Sequence, residues 1–166
     1  QYDNLTLGKA TFYLNRTNRS GVISGGVIGG QYQEGNYLMN ARFNRKELIK
    51  RIEEIAKNSN KIHLYNLDVL EFIKPTILKK YRKTFINFDP PYVEKGGPLY
   101  KNFFKEDDHK ALRNAIKQCN RKWMVTYDVC DLTTSLYNQF RHSYIDINYS
   151  VNKSRKAKEL IVFSDN

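Results

Sequence analysis

Apolar residues along this chain of 166 residues recur at the two spacings that distinguish helices from strands. A helical spacing marks residues 44–57, where Asn44 is a candidate N-cap and Leu48, Ile52 and Ile55 share one face. Strands that alternate with helices and end in a hairpin predict an α/β sheet with an antiparallel edge. The further helices are predicted over residues 106–119 (capped near Asp107) and 132–140, and the strands over residues 62–65, 84–88, 122–127, 142–149 and 160–163.

The other segments give weaker signals. Residues 11–14 fit either the end of a helix or a short strand, and residues 15–40 are polar and rich in glycine. We predict a long loop or a small hairpin subdomain there, because a loop of that length inside a compact domain is usually functional or disordered. Residues 69–73 predict a short helical turn that Pro75 ends, and residues 93–103 predict a loop.

The most informative motif is Asp89-Pro90-Pro91-Tyr92, which directly follows an apolar run at residues 85–88. In open α/β sheets ligands bind at the carboxyl ends of strands, which is where this motif falls. An exocyclic amine on a base is a poor nucleophile because its lone pair is delocalised into the ring. The Asp89 carboxylate and the Pro90 carbonyl could each accept one amine hydrogen. These bonds would draw the nitrogen toward tetrahedral geometry and free the lone pair.

The remaining residues of the motif fit that chemistry. Pro90 has no N–H and fixes its own φ, so its carbonyl can be held rigidly. Tyr92 offers a flat face to a flipped base, and such stacking is worth about 1–3 kcal/mol. We therefore predict Asp89, Pro90, Pro91 and Tyr92 as the catalytic residues of a methyl transfer to an amine. The alternative is a turn that only ends a strand, since Asp-Pro is a common turn starter.

The composition indicates which kind of molecule the chain binds and in which cellular compartment it works. The net charge of +11 and the pI of about 9.6 favour a polyanionic partner, with nucleic acid first, and solubility alone is the alternative. Cys119 and Cys130 form no CxxC pair and no metal-ligand spacing, which indicates a reducing, cytoplasmic setting. The three histidines are scattered, so we expect no metal site. We find no signal peptide and no apolar run of about 18 residues, so we expect no membrane span.

Motifs in a fixed order along nearly the whole chain resemble a known family, the Dam-type DNA adenine methyltransferases. The resemblance implies a Rossmann-like, S-adenosylmethionine-dependent methyltransferase fold with a target-recognition insertion and a C-terminal antiparallel hairpin. It also implies transfer of a methyl group from S-adenosylmethionine to N6 of a flipped adenine in double-stranded DNA. The motifs that carry it are Phe12-Tyr13-Leu14-Asn15-Arg16, Gly21, Asn66-Leu67-Asp68, Asp89-Pro90-Pro91-Tyr92, Thr126-Tyr127-Asp128 and residues 158–161.

The resemblance also implies binding residues. Asp68 and Asp89 would contact the cofactor, with Asp68 at the end of a strand that borders the cofactor adenosine. An equally good interpretation of Asp68 is an N-cap for residues 69–73. An exposed arginine without a DNA contact is the alternative for Arg19, and a solvated run of charge is the alternative for the hairpin tip. The residues that we expect to bind DNA are Arg16, Arg19 and Ser20 in the target-recognition segment and Asn152, Lys153 and Arg155 at the hairpin tip.

The chain departs from the family pattern at its beginning. The family has a Lys- and Gly-containing cofactor motif and a Phe-x-Gly-x-Gly loop before the Leu-Asn-Arg segment, whereas eleven residues precede Phe12 here. We assign the glycines between residues 25 and 30 to the recognition segment, because they come in the wrong order to form that loop. We therefore expect an incomplete methyltransferase domain that, on its own, binds the cofactor poorly or not at all and transfers no methyl group to duplex DNA. Its expected parts are a target-recognition segment at about residues 10–43 and a catalytic α/β part at residues 44–166.

Two other functions stay open at the level of the sequence. One is an inactive DNA-binding remnant that lacks the cofactor loop. The other is an amine methyltransferase that acts on protein or RNA, because Asp-Pro-Pro-Tyr also occurs in other amine methyltransferases. The Leu-Asn-Arg segment and the order of the motifs favour the DNA enzyme. A companion restriction endonuclease is a candidate partner for an enzyme of this kind.

Overall fold

The computed structural model of the chain describes residues 2–79, 83–94, 103–149 and 155–165, with the backbone alone at residues 76–77, 148–149 and 155–156. The chain divides into two compact units, Gln1–Leu64 and Tyr65–Asn166. This division falls after residue 64, and the functional boundary expected near residue 43 stays a prediction. No helix in the described part of the chain is both long enough and apolar enough to cross a membrane.

Two capped helices form most of the first unit. The carboxylate of Asp3 caps the first by accepting from the backbone N–H of Thr6 at 2.9 Å. The side chain of Asn44 caps the second by accepting from the N–H of Glu47 at 3.3 Å, as the sequence predicts. Residues 11–14 lie in the second half of the first helix, so the helical alternative is confirmed and the short strand is wrong. The helical elements of this unit are α1 (Asn4–Thr17), α2 (Arg45–Lys57) and the 3₁₀ turns Arg19–Gly21, Met39–Arg42 and Ser59–Lys61.

A small hairpin-like loop follows α1. Asn18 and Val27 form an isolated antiparallel bridge, and the N–H of Arg19 donates to the carbonyl of Gly26 at 2.9 Å. Ser20 closes the turn in the left-handed region, with φ of 56°, which is uncommon for a residue other than glycine. These bonds agree with the long loop or small hairpin subdomain that the sequence predicts.

Helix α2 buries less of its apolar face than its spacing predicts. Leu48 is buried, whereas Ile52 and Ile55 on the same face are 52% and 61% exposed. Tyr13 packs edge-on against Phe43, with ring centroids 5.9 Å apart. The described part of this unit therefore relies on caps, backbone hydrogen bonds and aromatic contacts more than on a large apolar core.

The second unit contains four described strands, β1 (Phe85–Phe88), β2 (Lys122–Asp128), β3 (Arg141–Tyr149) and β4 (Arg155–Phe163). They form one sheet in the order β1-β2-β4-β3. β1 lies parallel to β2, with Phe88 opposite Val125, and β4 lies antiparallel to both of its neighbours. The α/β sheet with an antiparallel edge is therefore confirmed. β4 begins five residues before the predicted strand, because pairing with β3 also orders its charged first half.

Four described helices belong to this unit, α3 (Val69–Phe72), α4 (Pro75–Leu78), α5 (Glu106–Lys117) and α6 (Asp131–Tyr137). The helical turn predicted at residues 69–73 is α3, which ends before Pro75. Pro75 itself begins α4, since proline is tolerated at the first position of a helix. α5 begins at Glu106 as predicted, and its N-cap is Lys105, two residues before the cap expected near Asp107. The carboxylate of Asp108 fixes this start by accepting from the backbone N–H of Lys105 at 2.8 Å.

The strand predicted at residues 62–65 is wrong. These residues form no strand in the described structure, and the side chain of Leu64 is 91% exposed. Ile62 does have an extended backbone, with φ of −109° and ψ of 120°. A strand also needs a neighbour for its backbone hydrogen bonds, and a short apolar run does not reveal whether one is present.

The core of the second unit lies between the sheet and its helices. Ile86 and Phe88 of β1 are buried, whereas the alternate residues Phe85 and Asn87 are exposed, which is the pattern that one covered face produces. Residues 95–102 of the predicted loop and residues 150–154 of the predicted hairpin tip lie outside the described residues. The most deeply buried apolar side chains come from β2, β4 and the two longer helices, and they are Leu112, Ile116, Val125, Tyr127, Tyr137, Leu160 and Val162.

Candidate active site

The Asp-Pro-Pro-Tyr motif (residues 89–92) lies directly after the last residue of β1, where the sequence predicts it. Pro90 is buried, Pro91 and Tyr92 are half-buried, and Asp89 is exposed. Asp89 is therefore accessible to a ligand, while Pro90 is held in place by the protein around it. Both residues line the same cavity, and their roles as acceptors for an amine stay predictions.

One side chain of β2 contacts the first residue of the motif, and another contacts the two residues that directly follow it. The hydroxyl of Thr126 donates to Oδ1 of Asp89 over a long 3.4 Å. The carboxylate of Asp128 accepts from the backbone N–H groups of Val93 and Glu94, each at 2.9 Å. Thr126 and Asp128 lie two residues apart on one strand, so they point to the same face of the sheet. The parallel pairing of β1 and β2 brings this face to the motif.

A cavity of about 280 Å³ opens beside the motif. Its walls are mostly apolar, and Asp89 is the one charged side chain among the described residues that line it. A cavity of this kind, with few polar groups, is typical of small-molecule sites. The described lining residues are Val69, Phe72, Ile86, Asn87, Phe88, Asp89, Pro90, Pro91, Phe104 and Leu112.

Asp68 is the N-cap of α3, which is one of the two roles that the sequence predicts for it. Its carboxylate caps α3 by accepting from the backbone N–H of Leu70 at 2.8 Å. The side chain is exposed, and the next residue, Val69, lines the cavity. A helix cap and a ligand contact are compatible in an exposed carboxylate, so the cofactor contact of Asp68 stays a prediction.

A buried polar pair lies next to this site, in the core below the end of β2. Nδ1 of His109 lies 2.8 Å from the hydroxyl oxygen of Tyr127. Burial lowers the pKa of His109, and the carboxylates of Asp128 and Asp108 oppose that shift. Burial raises the pKa of Tyr127. The imidazole is therefore neutral and the phenol protonated near neutral pH. Nδ1 of His109 is therefore satisfied, whereas Nε2 is buried without a hydrogen-bond partner among the described residues.

The three residues predicted to bind DNA in the first unit have different surroundings. The guanidinium of Arg16 donates to the carbonyl of Arg42 through Nε at 3.0 Å and through Nη2 at 2.6 Å. Arg16 therefore holds the 3₁₀ turn Met39–Arg42 against α1. Arg19 and Ser20 are exposed in the hairpin-like loop. The DNA contacts of all three residues stay predictions.

The three residues predicted to bind DNA at the hairpin tip lie outside the described residues or at their boundary. Asn152 and Lys153 lie outside the described residues, and Arg155 begins β4 with only its backbone described. Among the side chains that the structure describes, no group of three or more histidines, cysteines, aspartates or glutamates is arranged to hold a metal ion.

The motif at the end of a parallel strand in a mixed α/β sheet is the arrangement expected of an amine methyltransferase. A family model for the D12 class N6 adenine-specific DNA methyltransferases matches residues 9–151. The chain belongs to this family, whose reaction is the methylation of adenine at N6 in DNA. The Dam-type resemblance is therefore confirmed, and the match favours DNA over protein or RNA. A search of curated proteins gives no match.

Asp128 contacts the residues after the motif, and the sequence assigns it no role. The segment Thr126-Tyr127-Asp128 carries only part of the resemblance. A usable signal was present, because a carboxylate at the last position of a buried strand lies at the same sheet edge as the motif. What the sequence does not reveal is that its two oxygens meet the backbone of residues 93 and 94.

Proposed function

We propose that the chain methylates N6 of an adenine flipped out of double-stranded DNA, with S-adenosylmethionine as the donor and Asp89, Pro90, Pro91 and Tyr92 as the catalytic residues. The observation that carries this proposal is the position of Asp89, which is exposed at the end of β1 and lines the cavity. We also propose that the four strands belong to a Rossmann-like methyltransferase sheet, because β1 and β2 are parallel and present their carboxyl ends to one edge.

Asp89 and Pro90 would hold the amine of the adenine. The exposed carboxylate of Asp89 accepts one amine hydrogen, and the carbonyl of Pro90 accepts the other. The nitrogen becomes positively charged as it attacks, so both bonds strengthen toward the transition state. Two fixed acceptors also orient the lone pair toward the methyl group, which lowers the entropic part of the barrier.

Tyr92 would stack on the flipped base. The amine of a paired adenine is engaged inside the duplex, so the enzyme must extrude the base at a cost of a few kcal/mol. Stacking on an aromatic ring returns about 1–3 kcal/mol, which offsets much of that cost. Tyr92 is half-buried directly after the two prolines, so its ring is close in sequence to both proposed acceptors.

The cavity beside Asp89 fits S-adenosylmethionine in its chemistry. Phe72 and Phe104 offer apolar aromatic surface for a nucleoside, and Asp89 offers negative charge to a sulfonium. When bound, the cofactor supplies an activated methyl group on that sulfonium. Asp68 adjoins the cavity through Val69, which supports its proposed contact with the adenosine part. The sequence expectation of poor or absent cofactor binding and of no transfer by the chain alone stays a prediction, and the assay described below tests it against this proposal.

DNA binding would draw on the strong positive charge of the chain. A net charge of +11 favours a polyanion, and phosphate contacts release counterions from DNA. We propose Arg19 and Ser20 as contacts because both are exposed in the loop after α1. Arg16 would contribute through the part of its guanidinium that does not bond to the Arg42 carbonyl. Asn152, Lys153 and Arg155 are proposed on their sequence alone.

Transfer of label from S-adenosylmethionine tests the proposal. The chain is offered duplex DNA, single-stranded RNA and a glutamine-bearing peptide in parallel, after calorimetric titration has given the cofactor concentration that saturates it. We expect weak but saturable heat of cofactor binding and label in the duplex alone, as N6-methyladenine. No heat of binding would overturn the cofactor site, and label in the RNA or the peptide would overturn the substrate.

A further inference from the structure

We infer that Asp128 is a positioning residue for the methyl transfer. Its carboxylate binds the two residues that directly follow the Asp-Pro-Pro-Tyr motif and so keeps the end of the motif in place. The inference rests on the proposed function and adds to it a residue that does not touch the substrate. Its basis is the pair of hydrogen bonds from the backbone N–H groups of Val93 and Glu94, both at 2.9 Å.

The two bonds use both oxygens of the carboxylate. Oδ1 accepts from Val93 and Oδ2 accepts from Glu94, so two successive peptide groups are fixed by one side chain. Hydrogen bonds with an ionised acceptor are shorter and stronger than neutral ones. Two of them on adjacent residues restrict rotation of the peptide between the amides as well as its position.

The burial of Asp128 indicates that this contact is specific. Its side chain is 3% exposed, and a buried carboxylate is costly unless hydrogen bonds satisfy it. An apolar residue could fill the same space at the end of β2 without that cost. The charged residue instead provides what an apolar one does not, which is an acceptor for the chain that follows Tyr92.

The position of Val93 connects this contact to the reaction. Val93 follows Tyr92 directly, and consecutive Cα atoms are about 3.8 Å apart, so a shift of one displaces the other. Thr126, on the same face of β2, contacts Asp89 at the other end of the motif. Two alternate residues of one strand therefore hold the segment that carries the amine acceptors and the stacking ring.

The carbonyl of an asparagine can replace one carboxylate oxygen but its NH₂ group cannot accept. Asp128→Asn therefore keeps the size of the side chain and leaves one of the two amides without an acceptor. We expect kcat to fall about 10- to 100-fold, because small misplacements near the chemistry are costly, while KM for the cofactor and the affinity for duplex DNA change less than about threefold. Asp165→Asn, a change of the same charge at an exposed residue, should keep full activity.

Amide hydrogen exchange at Val93 and Glu94 separates the failure of this inference from the failure of the proposed function. We expect at least one of the two amides to exchange about tenfold faster or more in Asp128→Asn than in the unsubstituted chain. Faster exchange with unchanged kcat would overturn the positioning role, and unchanged exchange would overturn the contact itself. Protected amides in an unsubstituted chain that transfers no methyl group would overturn the proposed function, and the positioning role with it.

Discussion

Nδ1 of His109 lies 2.8 Å from the hydroxyl oxygen of Tyr127, with both side chains buried in the core beneath the active-site edge of the sheet. His109 belongs to α5, and Tyr127 lies between Thr126 and Asp128 on β2. The bond therefore joins a helix to the strand whose neighbouring residues contact the Asp-Pro-Pro-Tyr motif and the two residues that directly follow it. Stability at this point of the core and geometry at the active site depend on the same short stretch of β2.

The first prediction concerns pH. Burial lowers the pKa of folded His109 below the unfolded value of about 6.5, so the unfolded chain binds more protons at acidic pH. The contribution of His109 to stability is constant above about pH 6.5 and falls as the pH drops from there toward the folded pKa. Between about pH 7.5 and about pH 5.5, we expect the free energy of unfolding to fall less in His109→Gln than in the unsubstituted chain.

Denaturant midpoints at the two pH values measure this effect. His63→Gln is the matched control, because His63 is exposed. The control should keep the pH dependence of the unsubstituted chain. An identical pH dependence in the His109 variant would contradict the assignment.

The second prediction concerns the partner of this histidine. Tyr127→Phe removes the hydroxyl and leaves Nδ1 of His109 buried without its bond. A buried polar group in that state costs about 1–3 kcal/mol, so the free energy of unfolding should fall by about that amount. Tyr144→Phe, at a side chain that is 48% exposed, should change it by less than about 0.5 kcal/mol. Equal effects of the two changes in chemical denaturation would count against a stabilising bond.

The third prediction separates the ring of Tyr92 from its hydroxyl. If the ring stacks on the flipped adenine, Tyr92→Ala loses about 1–3 kcal/mol of transition-state stabilisation, which corresponds to about 5- to 150-fold in kcat/KM. Tyr92→Phe keeps the stacking face and should stay within about threefold of the unsubstituted chain. Steady-state kinetics on duplex DNA measures both variants. Similar losses in the two variants would show that stacking is not the role of this residue.

The fourth prediction concerns DNA binding. The affinity for duplex DNA should fall linearly with the logarithm of salt concentration, because binding releases counterions. If Arg19 contacts a phosphate, Arg19→Gln should reduce the slope by about one. Lys9→Gln, an exposed cation on α1, is the comparison variant. Fluorescence anisotropy across a salt series measures the slopes, and a slope that Arg19→Gln does not change would remove Arg19 from the proposed contacts.

The sequence correctly predicts the elements that have a long hydrophobic pattern, and the strands whose partner in the sheet is close to them along the chain. The spacing of α2, the strand before the motif and the closing hairpin all appear in the structure, and Asn44 caps its helix as expected. The run at residues 62–65 has an equally good local pattern. It is not a strand, because pairing depends on a neighbour that the run itself does not encode.

The site shows the same limit. The Asp-Pro-Pro-Tyr motif is recognisable because its chemistry is contained in four successive residues. Asp128 accepts from the N–H of Val93, which directly follows the motif and lies 35 residues away from Asp128 in the sequence. Arg16 donates to the backbone carbonyl of Arg42. Both are consequences of tertiary contacts, which neither composition nor spacing expresses. Residue type therefore predicts the candidate chemistry here, and the supporting contacts come from the fold.

The most direct test of the account compares methyl transfer to duplex DNA by the unsubstituted chain and by Asp89→Ala, at saturating S-adenosylmethionine. Asp165→Asn serves as the control for a lost carboxylate. The account predicts N6-methyladenine from the unsubstituted chain and the control. From Asp89→Ala it predicts no detectable transfer, with affinity for duplex DNA within a few-fold of the unsubstituted chain. Undiminished transfer by Asp89→Ala would contradict the central claim, which is that this carboxylate holds the amine that receives the methyl group.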